Sequence, residues 1–257
     1  MAKNNELDML NGALLPKILM FSLPLALTGI LQLLFNAADV IVVGKFAGST
    51  SLAAVGATSA LVNLLTGAFI GISVGVNILV ARYAGCRDDA RVERAVHSAI
   101  ALSLVLGVVT FLLGFFLSTP MLKWMDTPDD VLALASLYLR IYFIGIPGAL
   151  IYNFAAAILR AYGDTKRPLI FLAISGVLNV FLNLFFVIVC ELDVAGVAIA
   201  TVVSQYVAVV LILICLVRQE GPAKLKLREI RLHPDEALRM IQIGLPAGLQ
   251  SVVFNIS

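Results

Sequence analysis

Six long apolar runs, separated by short polar connectors, dominate this sequence. A helix needs about 20 apolar residues to cross the hydrocarbon core of a bilayer. The chain is 61% hydrophobic and 13% charged, with a mean hydropathy of +1.01, which excludes a water-soluble domain. The sequence therefore predicts an all-α integral membrane protein. The runs cover residues 14–43, 52–80, 95–117, 131–159, 169–190 and 194–217, and a seventh begins near residue 240.

The basic residues predict how the chain is oriented. Most of the 18 Lys and Arg residues fall in the amino terminus and in the second, fourth and sixth connectors. Cytoplasmic connectors carry an excess of Lys and Arg. We therefore expect a multi-pass protein of the plasma (inner) membrane with a cytoplasmic amino terminus. The net charge of +2 is too small to indicate a nucleic-acid partner.

Two segments of the sequence resemble each other. KILMFSLPLALTG at residues 17–29 and RMIQIGLPAGLQS at residues 239–251 share a basic residue, an apolar run and a Leu-Pro pair. Six crossings return the chain to the cytoplasm, so the second copy starts on the same side as the first. This pattern predicts a six-helix lobe at residues 1–217, a cytoplasmic linker at 218–239, and the start of a second lobe at 240–257. We expect the rest of that second lobe, the partner of the first, to follow residue 257.

Polar side chains form stripes along several of the apolar runs. The stripes have helical spacing, which places each on one face of its helix. Such residues often join helices by hydrogen bonds, and they can instead line a path through the membrane. The residues with this spacing are Thr28, Gln32, Asn36 and Asp39 in the first run, Ser59, Asn63, Thr66, Ser73 and Asn77 in the second, Ser175, Asn179 and Asn183 in the fifth, and Thr201, Ser204 and Gln205 in the sixth.

Asp39 is the one carboxylate among these polar residues. A carboxylate at the centre of a membrane helix costs about 2.5–3.5 kcal/mol, and such residues tend to mark ion or proton pathways. Alternatively, Asp39 lies at the outer interface, because about 20 residues counted from Lys17 end near Asn36. That alternative would leave the apolar residues 40–43 in water. We therefore favour an embedded Asp39 that binds a proton or a hard cation.

Prolines and tyrosines mark further features of the runs. Pro24 and Pro147 provide places where the first and fourth helices can kink. Tyr138, Tyr142 and Tyr152 share a face of the fourth run. They form packing contacts or an interfacial belt, or they line a cavity suited to flat or cationic organic molecules. The three cysteines lie in different elements and predict neither a disulfide framework nor a metal site.

Several segments together resemble the multidrug and toxic compound extrusion (MATE) family. They are LPLALTGILQLLFNAADVIVVG in the first run, LAAVGATSALVNLLTGAFIGISVGVNILVARYAG in the second, AAAILRAYGDTKRPL between the fourth and fifth, LNVFLNLFF in the fifth and GVAIATVVSQ in the sixth. The connector at residues 160–168 is the most specific of these. By itself it predicts only a structural turn with basic anchors.

The resemblance implies twelve helices in two six-helix lobes. It also implies export of small organic, often cationic, compounds in exchange for protons or sodium, with no other cofactor. Asp39 matches the family's acidic coupling residue, and Asn179 and Thr201 match residues of the cation site. Asn183 stands where some members carry an aspartate, which weakens the case for a sodium site at these four residues. Gln32, Asn36, Asn63, Tyr138, Tyr142 and Tyr152 are the expected substrate path.

Three other functions stay open at this point. A related flippase of lipid-linked oligosaccharides would need several basic residues around its cavity, and the runs offer only Arg140. An intramembrane enzyme would need a nucleophile with its base, paired carboxylates or histidine ligands at membrane depth. A lone aspartate supplies none of these, so no enzymatic activity is expected. A non-transporting membrane subunit is the third. The substrate, the choice between proton and sodium, and the oligomeric state are left undetermined.

Overall fold

The fold is a bundle of long helices, seen in a computed structural model. It describes the backbone of residues 14–256 and the side chains of residues 15–250. No strand occurs among these residues, so the predicted all-α class is confirmed. The helices are α1 (Leu14–Val42), α2 (Gly48–Gly85), α3 (Asp89–Trp124), α4 (Asp129–Ala161), α5 (Lys166–Leu184), α6 (Asp193–Val217) and α7 (Pro234–Ile256), and one π-helical turn follows each of α1 (Val43–Ala47) and α5 (Phe185–Val189).

The first two predicted crossings are not separated by a loop. Five helical segments within residues 14–256 are long and apolar enough to cross a membrane, and the first, Leu15–Gly85, contains both α1 and α2. The chain leaves the helical conformation at Gly48, where φ is 87° and ψ is 174°. Glycine adopts positive φ without steric cost, so a break forms here without a connector. The expected polar loop between residues 43 and 52 is therefore wrong.

The other predicted boundaries differ most at α3, which extends beyond the predicted 95–117 at both ends, and at the start of α7. Helix α6 ends at Val217, as expected, whereas α3 begins at Asp89 and α7 begins at Pro234. Proline suits the first turn of a helix, and Asp235 and Glu236 there complement the helix dipole. The predicted start of the seventh helix near residue 240 is therefore too late, because the first turns of α7 are charged rather than apolar.

Helix α4 forms the centre of the bundle and packs against α2, α3 and α6. Its fully buried side chains include Phe143, Leu150 and Phe154. The Asn77 amide of α2 donates a hydrogen bond to the Ala157 carbonyl of α4 at 3.0 Å. Since buried polar groups need partners, this bond fixes the register of the two helices. Pro147 lies inside α4, as Pro24 lies inside α1.

Glycines allow α2 and α7 to come into backbone contact. A Cβ atom on Gly71 would lie 2.0 Å from the Gly248 Cα, and one on Gly75 would lie 2.1 Å from the Met240 carbonyl oxygen. Small residues spaced by four permit this approach between membrane helices. Gly71 and Gly75 therefore form the surface of α2 against which α7 packs.

The connector between α4 and α5 contains an ion pair with a buried carboxylate. Asp164 is fully buried, accepts a hydrogen bond from the Arg167 backbone N–H at 3.1 Å, and forms an ion pair with the Arg167 guanidinium. Arg167 also donates to the Gln219 side-chain oxygen at 3.1 Å. These contacts join the start of α5 to the end of α6. The structural role expected for residues 160–168 is confirmed.

Replacing Asp164 by alanine should destabilise the lobe by about 3–5 kcal/mol, because Arg167 would keep a largely buried charge without its partner. The midpoint of thermal unfolding, followed by size-exclusion chromatography of heated samples, measures this loss. Asp129→Ala removes an exposed carboxylate from the first turn of α4 and is the control. Equal midpoints for the two variants would contradict the assigned role.

Candidate functional site

Asp39 points toward α5 and α6 and is half-buried. Its Oδ1 accepts a hydrogen bond from the Asn183 amide of α5. Its Oδ2 lies 3.5 Å from the Thr201 hydroxyl of α6. The structure thus brings together residues from three helices that are 144 and 162 positions apart in the chain.

Asn179 completes a connected network with these residues. Its amide nitrogen donates to the Thr201 hydroxyl oxygen at 3.3 Å, and its side-chain oxygen accepts from the Asn183 amide at 3.3 Å. The four residues expected to form a cation site therefore contact one another. Asn179 and Asn183 can both reach the site because residues four apart lie on the same face of α5.

The network contains oxygens whose hydrogen bonding is incomplete. The Thr201 hydroxyl has one proton and two acceptors, the Val197 carbonyl at 3.0 Å and Asp39 Oδ2 at 3.5 Å, so it can donate to only one of them at a time. The side-chain oxygen of Asn183 is also buried and has no hydrogen-bond partner among the described residues. Buried acceptors without donors indicate a place for a proton or a small cation.

Gly176 positions α1 against α5. The Phe35 ring lies so close to it that a Cβ atom on Gly176 would be 1.8 Å from the ring. Phe35 is one helical turn before Asp39, so this contact brings the carboxylate toward Asn183. The sequence alone does not point to Gly176, because a single glycine beside a polar stripe does not show that a ring from another helix packs there.

A cavity of about 200 Å³, lined by both polar and apolar side chains, opens beside the network. Five residues expected on the substrate path, Gln32, Asn36, Asn63, Tyr142 and Tyr152, line it. Asn153 also lines it, although the sequence analysis did not select that residue. The remaining lining residues are Phe35, Asp39, Val62, Thr66, Ala149, Leu172, Ser175, Gly176, Asn179, Thr201, Ser204, Gln205 and Ala208.

Two expected residues do not face this cavity. Tyr138 is buried behind Tyr142, with ring centroids 6.2 Å apart and planes at 20°. Tyr138 does not line this cavity, to which α4 contributes Tyr142, Ala149, Tyr152 and Asn153, and its place on the substrate path stays a prediction. Asn183 is fully buried and reaches Asp39 from behind the wall. The Tyr152 hydroxyl donates to the Pro168 carbonyl at 2.7 Å, which fixes its ring at the cavity edge.

The cavity is acidic. Its lining contains one carboxylate, Asp39, and neither Lys nor Arg among the described residues. Arg140, the basic residue inside the fourth run, donates instead to the hydroxyls of Ser118 and Thr119 at 3.3 and 3.2 Å. Within the described part of the chain, no three His, Cys, Asp or Glu residues form a group that could hold a metal ion. This charge distribution favours cationic over anionic guests.

Comparisons with known proteins give a consistent result. The MatE family model matches residues 24–185. Over 250 residues, the chain is 32% identical to the Bacillus subtilis protein named "Probable multidrug resistance protein YpnP", covering 96% of this chain and 55% of that protein. It is 27% identical over 245 residues to "Probable multidrug resistance protein YoeA" of Bacillus subtilis, covering 93% of this chain and 53% of that protein.

A solved structure has the same fold. It is described as the outward-facing conformation of a multidrug resistance MATE family transporter of the MOP superfamily. It superposes with a TM-score of 0.86 at 27% identity, covering 93% of this chain and 53% of that chain. The chain thus spans about half the length of the curated relatives and the structure that it matches.

Proposed function

Because the chain belongs to the MatE family and is a multi-pass membrane protein, we propose that it forms the first lobe of a cation-coupled exporter of small organic compounds. The observation that supports this most is the hydrogen-bonded network of Asp39, Asn179, Asn183 and Thr201, of which Asp39, Asn179 and Thr201 line a cavity. A second lobe of the same chain would complete the transporter. The membrane would be the plasma membrane, with the amino terminus in the cytoplasm.

Binding of a cation at Asp39 would change how α1 packs. A proton or sodium ion bound at Asp39 Oδ2 neutralises the carboxylate and changes its contact with Thr201 Oγ1, and so changes how α1 packs against α6. Helix α1 can respond because α5 is its main partner among the helices and many of its side chains, Leu19, Leu23 and Leu33 among them, are exposed. Pro24 interrupts its hydrogen bonding and provides a hinge.

The cavity suits part of a flat organic cation. Its aromatic lining, Phe35, Tyr142 and Tyr152, and the charge of Asp39 both attract cations. Its volume of about 200 Å³ is below the roughly 300–1,000 Å³ of pockets for drug-sized ligands. The cavity must therefore widen, by movement of α1, to admit a whole molecule of that size.

Everted membrane vesicles containing the full-length protein test this proposal. An imposed proton or sodium gradient should drive accumulation of a fluorescent cation such as ethidium, and dissipating the gradient should release it. Accumulation driven by one of the two gradients alone identifies the coupling ion. Accumulation that needs neither gradient would overturn the proposed coupling, and no accumulation of any organic cation would overturn export.

Replacing Asn183 by aspartate should favour sodium. A second carboxylate against Asp39 increases the negative charge on the same oxygens, and cation affinity rises with the charge of the ligands. We expect the sodium concentration for half-maximal transport to fall roughly tenfold. The measurement is the initial rate of efflux against sodium concentration. Asn183→Ser changes the same position without adding charge and should not lower the sodium concentration for half-maximal transport.

The rival functions find less support in the geometry. A flippase of lipid-linked oligosaccharides carries pyrophosphate, and the cavity lining offers it one carboxylate and no cation among the described residues. An intramembrane enzyme needs a second reactive group beside Asp39, and its described neighbours are the amides of Asn179 and Asn183 and the hydroxyl of Thr201. We therefore propose transport and no catalysis.

A further inference from the structure

A second cavity lies at the predicted cytoplasmic end of α3, away from Asp39. It is an open cavity of about 460 Å³ between the start of α3 and the linker that precedes α7. Three arginines line it, Arg94 from α3 and Arg228 and Arg231 from the linker. The other lining residues are Ala90, Glu93, His97, Glu229 and His233.

Buried histidine and serine side chains hold the linker against α3. The imidazole of His97 is almost completely buried, and its Nε2 accepts a hydrogen bond from the Lys226 backbone N–H at 3.2 Å. Its Nδ1 therefore carries the proton and donates to the Glu93 carbonyl at 2.7 Å. The His233 backbone N–H donates to the Ser98 hydroxyl at 3.1 Å. The cavity is thus a formed part of the fold.

The charge of this cavity is positive. Both lining carboxylates, Glu93 and Glu229, are paired with the Lys226 ammonium group. No carboxylate in the described part of the chain pairs with Arg94, Arg228 or Arg231. Three guanidinium groups around one opening form the arrangement that binds phosphate oxygens through paired N–H donors.

The position of the cavity favours a lipid as the source of the phosphate. The apolar run of α3 begins directly after Arg94, so the opening lies where the hydrocarbon core meets the headgroups. Leu227 and Leu232 adjoin Arg228 and Arg231 in the linker, and their side chains are 62% and 44% exposed. Alternating basic and apolar residues are typical of a segment on an anionic membrane surface. We propose that this cavity binds the phosphate of an anionic phospholipid of the cytoplasmic leaflet.

The test is native mass spectrometry of the full-length protein titrated with phosphatidylglycerol. The triple variant Arg94→Gln, Arg228→Gln, Arg231→Gln should bind this lipid roughly a hundredfold more weakly, since each basic residue near an anionic surface contributes about fivefold. The triple variant Lys166→Gln, Arg218→Gln, Lys224→Gln loses the same charge from exposed positions outside the cavity and should keep its affinity.

Three further measurements make the outcome decisive. Phosphatidylcholine should bind the unmodified protein weakly. Replacing the three arginines by lysine keeps the positive charge, so this variant should keep part of the affinity that the glutamine variant loses. Equal phosphatidylglycerol affinity in both glutamine triples would overturn the proposal. Tight binding of inorganic phosphate without lipid would overturn the lipid source.

Discussion

Replacing Asp39 by asparagine is expected to reduce gradient-driven efflux at least tenfold. Asparagine has nearly the same shape, and its side-chain oxygen can still accept the hydrogen bond that the Asn183 amide donates to Asp39. It cannot take up a proton or neutralise a cation, so the oxygens facing Thr201 lose the charge on which the proposed coupling depends. The substitution therefore keeps the shape and hydrogen bonding of the site and removes its charge.

The measurement is the initial rate of ethidium efflux by the full-length protein in cells or vesicles, normalised to the amount of protein in the membrane. Asp130→Asn removes a carboxylate from the first turn of α4, away from the cavity, and serves as the control. Unchanged efflux by the Asp39 variant, at equal protein levels, would show that the coupling site lies elsewhere.

A bulky residue at Gly71 is expected to displace α7. The Cβ atom of Gly71→Val would lie about 2 Å from the backbone of Gly248, and backbone cannot move aside as a flexible side chain can. Overpacking a tight contact typically costs about 1–3 kcal/mol, and a clash with backbone lies at or above that range. We therefore expect a large fall in thermal stability and, if α7 belongs to the second lobe, a parallel loss of efflux.

Gly56→Val provides the matched control on the same helix, because a Cβ atom on Gly56 meets nothing within 4 Å. Thermal unfolding and efflux are measured for both variants in the full-length protein. Should Gly71→Val and Gly56→Val be equally stable, the contact between α2 and α7 would not be part of the assembled protein.

The polar stripes show how far a pattern can predict a site. The four-residue spacing of Asn179 and Asn183 correctly placed them on one helix face, and the four residues expected to bind a cation do contact one another. The spacing of Tyr138 and Tyr142 was equally regular, yet only Tyr142 reaches the cavity. A stripe defines a direction around its own helix, and the neighbouring helices determine which part of that face stays open.

The connection between α1 and α2 shows a place where the local residue preferences predict the wrong structure. Residues 43–52 include glycine, lysine and serine, which favour a loop, but the chain stays helical through a π-helical turn as far as Gly48. Backbone hydrogen bonds in or near a membrane are satisfied most readily within a helix, and this requirement outweighs the local preference for a turn.

The sequence by itself determined the class of protein, the approximate crossings and the chemical type of the site. Apolar length and helical spacing are local properties, and each helix satisfies its own backbone in the membrane. The tertiary structure decided which helices meet, that Phe35 against Gly176 brings Asp39 to Asn183, and that Arg94, Arg228 and Arg231 surround one cavity. Those contacts join residues far apart in the chain, so only the packing of whole helices against one another could select them.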